Sequence, residues 1–178
     1  MKLLYIHSKN LIIEAGVPGK TPSQRRRAEA KMRGKFGSLL RELNERTDVV
    51  INSKNALLTF VCVEKGDEGV DLDRVKTDIL RSSALIGVSE IVIGAFAHLS
   101  NNVATAELAR DIIDELANCV NARILNDFID KVDMGETKIK IPKIYVYPFG
   151  WDKSIKLNIP LHHYNFSFRS FEPLLTTP

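Results

Sequence analysis

The sequence predicts an α/β domain in which a mixed β-sheet is packed with helices. Three observations predict it. Two short apolar runs, Leu57–Val63 and Ile91–Gly94, lack polar alternation and read as strands buried on both faces. Between and around them lie segments with helical periodicity and capping residues. The elements then follow in the order strand, helix, strand, helix, strand, helix and three further strands, an order that sets helices against a sheet. No Gly-rich turn follows a strand and no Walker sequence occurs, which excludes dinucleotide-binding and P-loop folds.

Lys2–His7 (KLLYIH) is the first strand, mostly buried, with His7 and Ser8 at its end. Asn10–Ala15 forms a second short strand in hairpin with it, and residues 16–22, with two glycines and two prolines, make a loop. Ser23 is a helix N-cap. From Gln24 to Glu45, Ala28, Met32, Phe36, Leu39, Leu40 and Leu43 line one helical face, and arginines and lysines occupy the other. Ala56–Glu64 has two apolar faces and belongs in the centre of a sheet. Glu64–Gly69 is a charged turn. Asp71 caps a helix to about Leu85 with Val75, Ile79 and Ile86 inward, and Gly87 ends it. After the Ile91–Gly94 strand, a helix from about Ala104 to Asn118 buries Leu108, Ile112, Leu116 and Val120. Asp127–Ile139 is a poorly patterned peripheral insertion. Lys143–Tyr147, Lys153–Ile159 and Asn165–Phe171 are strands; Phe166, Phe168 and Ile159 share a face. The C-terminal residues fray.

The chain has 178 residues, one domain's worth, and a net charge of +3 that is unevenly placed. Lys20–Arg46 holds nine basic and three acidic residues, an excess of six, so the remainder is acidic. That helix face is either a solvated surface or a contact for a polyanion. Cys62 and Cys119 are too few and too far apart for a metal or disulfide framework and read as buried thiols in a reducing compartment. No secretory leader is legible, and no apolar run approaches the roughly 20 residues of a membrane span. A cytoplasmic location without membrane contact is the expectation.

The four histidines, His7, His98, His162 and His163, have no acidic or cysteine neighbours at metal-ligand spacing, and no nucleophile elbow occurs. What remains is a set of polar groups at strand ends: His7, Ser8, His98, Ser100, Asp152 and Lys153. His98 lies just past a core strand and just before a helix, where open α/β layers bind ligands. A strand-end histidine serves structure as readily as function. Tyr147–Lys153 (YPFGWDK) makes a second corner of the same character.

Four stretches, MKLLYIHS at the start, VEK at Val63–Lys65, FAHLS at Phe96–Ser100 and PFGW-x-KS at Pro148–Ser154, resemble the N-terminal editing domain of archaeal threonyl-tRNA synthetase. The resemblance runs in order along the whole chain, residues 1–178, with insertions at about 20–54 and 126–140. It implies a D-aminoacyl-tRNA deacylase-like fold and hydrolysis of L-seryl-tRNA for threonine. The need for such a step is physical: serine lacks one methyl of threonine, a difference worth roughly 1–3 kcal/mol in a binding pocket, so a second site must remove the error.

By the same resemblance, Lys153 and His98 are the catalytic residues. Val63, Ala95, Phe96, Ala97, Phe149, Gly150, Trp151 and Asp152 line the substrate pocket, with His7 and Ser8 near the terminal ribose, whose 2′-hydroxyl assists. Arg25, Arg26 and Arg27 would contact tRNA. No cofactor or metal is implied. The implied partners are the 3′ end of threonine tRNA, a second copy in a homodimer, and a threonyl-tRNA synthetase catalytic domain or subunit. The chain departs from the family pattern where Asp152 replaces an aromatic residue and Phe166 stands at the place of an acidic one. Two alternatives accompany this reading: a non-catalytic tRNA-binding or synthetase-interaction module, and a D-aminoacyl-tRNA deacylase.

Overall fold

The computed structural model describes residues 1–16, 48–117, 142–147, 149–150 and 152–174. The predicted basic helix with Arg25–Arg27, the 126–140 insertion, Cys119, Val120, Pro148 and Trp151 lie outside them.

Strand β4 (Ala56–Cys62) is buried at every position, because both of its faces are apolar. It is the middle of a five-stranded sheet. On one side β1 (Lys2–Ser8) pairs with it antiparallel, and β8 (Phe166–Ser170) pairs antiparallel with β1 at the edge. On the other side β5 (Glu90–Ala95) and β6 (Lys143–Val146) follow in parallel. Parallel neighbours require crossover connections, and α1 (Leu72–Ile86) and α2 (Ala106–Ala117) lie in them. Asp71 caps α1 by accepting from the Asp73 and Arg74 amides, and Gly87 ends it in the left-handed conformation at φ 73°.

The structure corrects the expectation of one sheet. Residues 48–53, within the stretch read as an insertion, form a strand, β3 (Asp48–Ser53). With β2 (Leu11–Gly16) and β7 (Asp152–Leu157) it builds a second, antiparallel sheet in the order β3-β2-β7. The hairpin expected between β1 and β2 is absent. The backbone groups that would close it are taken by the segment after β7: the Lys9 amide donates to the Asn158 carbonyl (2.8 Å) and the Asn158 amide to the Asn10 carbonyl (3.0 Å). The chain therefore crosses from one sheet to the other at Lys9–Asn10.

Two cores result, and β4 contributes to both. Leu57, Val61 and Val63 face the helices with Val75, Ile79, Ile112, Ile113 and Leu116. Ala56, Leu58 and Phe60 face the small sheet, against Leu11, Ile13 and Ile51, with Tyr147 in the same cluster. Phe166 and Phe168 share a face, as expected, but are about half exposed, whereas Ile159 packs against the second core. No helix among the described residues is long and apolar enough to cross a membrane.

Candidate functional site

The predicted residues fall at two ends of the molecule. In register, Val61 is level with both Leu3 and Ala95, while His7 is level with Leu57. Ala95 and His7 are thus four residues apart along the strand direction, about 13 Å at the rise of a β-strand.

At the first end, the Phe96 amide makes the last ladder bond of β5, to the Val61 carbonyl (2.9 Å), and Ala97–Leu99 then make a single 3-10 turn. Phe96 is half-buried. Its ring stacks on Phe60 at 4.5 Å and meets the His98 ring edge-on at 5.3 Å, and this orients an otherwise exposed imidazole. Val63 is buried in the helix-side core, whereas Phe96 and Leu99 pack on the small-sheet side. The segment after His98 is sewn to the end of β4. Ser100 donates its hydroxyl to Glu64, the Ala104 amide donates to the Val63 carbonyl (3.0 Å), and the Lys65 amide donates to the Asn102 carbonyl (3.0 Å). Burial raises the affinity of Glu64 for a proton, but Ser100, Lys2 and the Met1 amino group outweigh it and hold the carboxyl below its usual range. Cys62 is a buried thiol, as expected; its sulfur approaches the Ala97 carbonyl at 3.6 Å, and burial with the nearby Glu64 charge pushes its pKa up.

Lys153 joins this end from the small sheet, where it pairs with Ala15. It is half-buried, with its Nζ 4.6 Å from the centre of the Tyr147 ring. Burial lowers its pKa, and the neighbouring Asp152 opposes that only partly. Asp152 itself is exposed, Gly150 turns at φ 74°, and Phe149 packs against the helix-side core. Tyr147 is 1% exposed and donates its hydroxyl to the Ala95 carbonyl (2.8 Å). Sequence reasoning placed Tyr147 at a strand end and gave it no role. Its position just before the Pro148–Lys153 motif was the available signal.

At the second end, Ser8 is fully buried and its hydroxyl is occupied, donating to the Asn10 carbonyl (2.8 Å) and accepting from the Asn158 amide (3.1 Å). His7 joins His162 through Nδ1 and Asn55 through Nε2 (2.8 Å). The Tyr164 amide donates to His162 Nδ1 (3.0 Å), which fixes the proton of the neutral ring on Nε2. His162 Nε2 then donates to His7 Nδ1, His7 Nε2 donates to Asn55 Oδ1, and Asn55 Nδ2 donates to the Gly87 carbonyl (3.0 Å). Four elements are tied by one directional chain of hydrogen bonds. No group of three or more metal-ligating side chains occurs among the described residues.

Several comparisons bear on this arrangement. The chain is 33% identical over 108 residues to the threonine–tRNA ligase editing subunit of Saccharolobus solfataricus, a match covering 61% of this chain and 23% of that protein. It is 32% identical over 124 residues to the threonine–tRNA ligase of Pyrobaculum neutrophilum, covering 68% and 18%. The chain thus matches less than a quarter of the length of these relatives. Among solved structures, the c-Myc DNA unwinding element binding protein superposes with a TM-score of 0.55 at 8% identity, covering 98% of this chain and 100% of that one, a likeness of fold alone. The fold is the D-aminoacyl-tRNA deacylase-like α/β fold. Residues 1–170 match the family described as the archaea-specific editing domain of threonyl-tRNA synthetase. With that match over nearly its full length, and with the FAHLS turn and the motif lysine at one end of the fold, the chain belongs to the archaea-specific editing domains of threonyl-tRNA synthetase.

Proposed function

We propose that this domain, a single editing unit over residues 1–178, hydrolyses L-seryl-tRNA for threonine. The observation that carries the proposal is the joining of the FAHLS turn and Lys153 at one end of the fold through Tyr147. In the reaction a water oxygen bonds to the seryl carbonyl carbon, the bond to the ribose oxygen breaks, and that oxygen leaves with a proton. Serine and intact tRNA are the products. Lys153 is the cation set beside the ester oxygens. A fixed charge in a partly desolvated position stabilises the oxyanion as it develops without having to reorganise. The edge of His98, oriented by Phe96, holds the terminal adenosine or a water network, and the ribose 2′-hydroxyl assists the attack. Phe96 and Ala97 form the apolar wall that excludes the extra methyl of threonine. Val63, which the resemblance also places at the pocket, follows β4 and packs into the helix-side core, across the sheet from Phe96.

Under this reading the domain works in the cytoplasm as a homodimer, alone or with a synthetase catalytic domain. Ser8 and His7 support the fold at the far end, and any contact with tRNA there is through the exposed surface around them. The second reading, a non-catalytic tRNA-binding module, is favoured by the exposure of Phe166, which stands where the resemblance places an acid. A D-aminoacyl-tRNA deacylase is the third.

The test is serine release from L-seryl-tRNA for threonine, with L-threonyl-tRNA and D-aminoacyl-tRNA as controls. Loss of serine alone, slowed at least about a hundredfold by Lys153→Ala, is expected for a group that stabilises charge in the transition state. Wild-type protein that binds this tRNA yet releases no serine would sink the proposal in favour of the second reading.

A further inference from the structure

Tyr147 sits between the two halves of the site without belonging to either motif. It follows β6 and continues its register, donating its amide to the Ile93 carbonyl (3.2 Å). Its ring lies flat against Gly94: a Cβ there would come within 1.8 Å of Cζ and 2.0 Å of Cε1. A side chain at Gly94 would therefore displace the ring. From this seat the hydroxyl holds the Ala95 carbonyl, the last residue of β5 before the Phe96–His98 turn. The ring face receives the Lys153 ammonium, which arrives from the other sheet. A phenol ring presents a negative face to a cation, and the attraction grows as water is excluded. Burial pushes the Tyr147 pKa far up, so the hydroxyl remains a donor throughout the working pH range.

From this geometry we propose that Tyr147, seated on Gly94, is the positioning residue of the site, fixing Lys153 relative to the Phe96–His98 turn. The proposal rests on the deacylase reading for its effect on rate but not for the contact itself. The two functions of the side chain separate by mutation. Tyr147→Phe keeps the ring under Lys153 and loses the bond to Ala95. Tyr147→Leu loses both while keeping the position apolar.

The experiment has two arms. In the first, single-turnover deacylation of L-seryl-tRNA is followed for wild type and both variants, with melting curves to verify that each is folded. A rate loss of about tenfold for Tyr147→Phe is expected, the scale of one buried hydrogen bond. A larger loss for Tyr147→Leu, approaching that of Lys153→Ala, with binding of the tRNA unchanged, is expected from the added loss of the cation–ring contact. In the second, NMR of lysine-labelled protein follows the ε-methylene of Lys153, assigned by its disappearance in Lys153→Ala. A methylene over a ring face is shifted upfield. The shift is expected in wild type and Tyr147→Phe and absent in Tyr147→Leu.

A folded Tyr147→Leu protein with wild-type kcat overturns the proposal, as does a Lys153 methylene at its ordinary position in wild type. If wild type releases no serine, the deacylase reading fails by itself. The NMR arm then decides the contact: an upfield methylene lost only in Tyr147→Leu supports it, and an unshifted one overturns it.

Discussion

At the scale of single residues, two positions carry more than their sequence context suggests. Gly94 stands in the middle of an apolar strand, where alanine or valine would serve pairing better, yet the Tyr147 ring occupies the space a side chain would need. Gly94→Ala is expected to lower stability by about 3 kcal/mol, the upper range for overpacking, since an aromatic ring pinned at both ends cannot move aside. In a Tyr147→Leu background the same substitution is expected to cost less than half as much. Urea unfolding of the four proteins in that cycle measures the coupling, and additive effects would show that the ring has another way out. His162 is the second position. Burial, then the charges of His7, Lys9 and His163, holds its pKa below the ordinary histidine value, and its hydrogen bonds require the neutral ring. Below about pH 6.5 the unfolded chain binds the proton more readily than the folded one. The stability from this group is thus complete above that pH and is lost as pH falls toward the folded value. Wild type is expected to melt at progressively lower temperature from pH 7 to 5, and His162→Gln to show a flatter profile. Parallel curves for the two proteins would remove His162 from the acid response.

At the scale of elements, the loop that carries His98 owes its shape to β4. Just past β4, Glu64 accepts from Ser100, and the Val63–Ala104 and Lys65–Asn102 bonds tie the same loop to the residues on either side of Glu64. Ser100→Ala is expected to lower stability by about 1 kcal/mol, the net worth of one hydrogen bond. It should also raise the hydrogen-exchange rates of the Lys65 and Ala104 amides, the donors of the two backbone bonds, severalfold, because local opening no longer breaks the Glu64 contact. Unchanged exchange there would mean the backbone bonds alone hold the loop. The link explains why the VEK and FAHLS stretches occur together in one sequence: Glu64 of the first receives Ser100 of the second. The sequence alone made the elements legible where the signal is local. The Asp71 cap, the Gly87 stop and the two-faced β4 could be read directly, because each depends on neighbours within one turn or one strand. The partner of β2 could not. Leu11, Ile13 and Ala15 alternate as a strand, but a strand's pattern gives its buried face, not which strand it meets. The two-residue connection at Lys9–Asn10 imitates a hairpin, and the competing bonds come from Asn158, nearly 150 residues away. Likewise His98 and Lys153 were legible as strand-end polar groups. Tyr147 was not, since its role exists only once two sheets bring Gly94 and Lys153 to its two faces.

At the scale of the whole molecule, the charge distribution makes the last prediction. The chain carries +3 overall, while residues 20–46 alone hold an excess of six positive charges, so the rest of the domain repels a polyanion and that segment attracts it. A domain that edits an aminoacyl-tRNA must hold the acceptor end long enough for water to attack, and phosphate contacts supply most of that affinity without reading sequence. Arg25, Arg26 and Arg27 are three consecutive guanidiniums, so on the helix the sequence predicts they would fan over a little more than half a turn, and not all three would meet the same strand. Each phosphate neutralised contributes about 0.7–0.9 to the slope of log affinity against log salt. The triple alanine variant is therefore expected to weaken threonine-tRNA binding at low salt and to flatten that slope by about one to two. Single-turnover serine release at saturating protein should remain close to wild type, because these residues are argued to hold the substrate and not to touch the ester. Filter binding across a salt series measures the slope, and the saturating reaction measures the chemistry. An unchanged slope would assign the basic segment to a protein partner or to solvent. A lost reaction at saturation would place the segment at the ester itself.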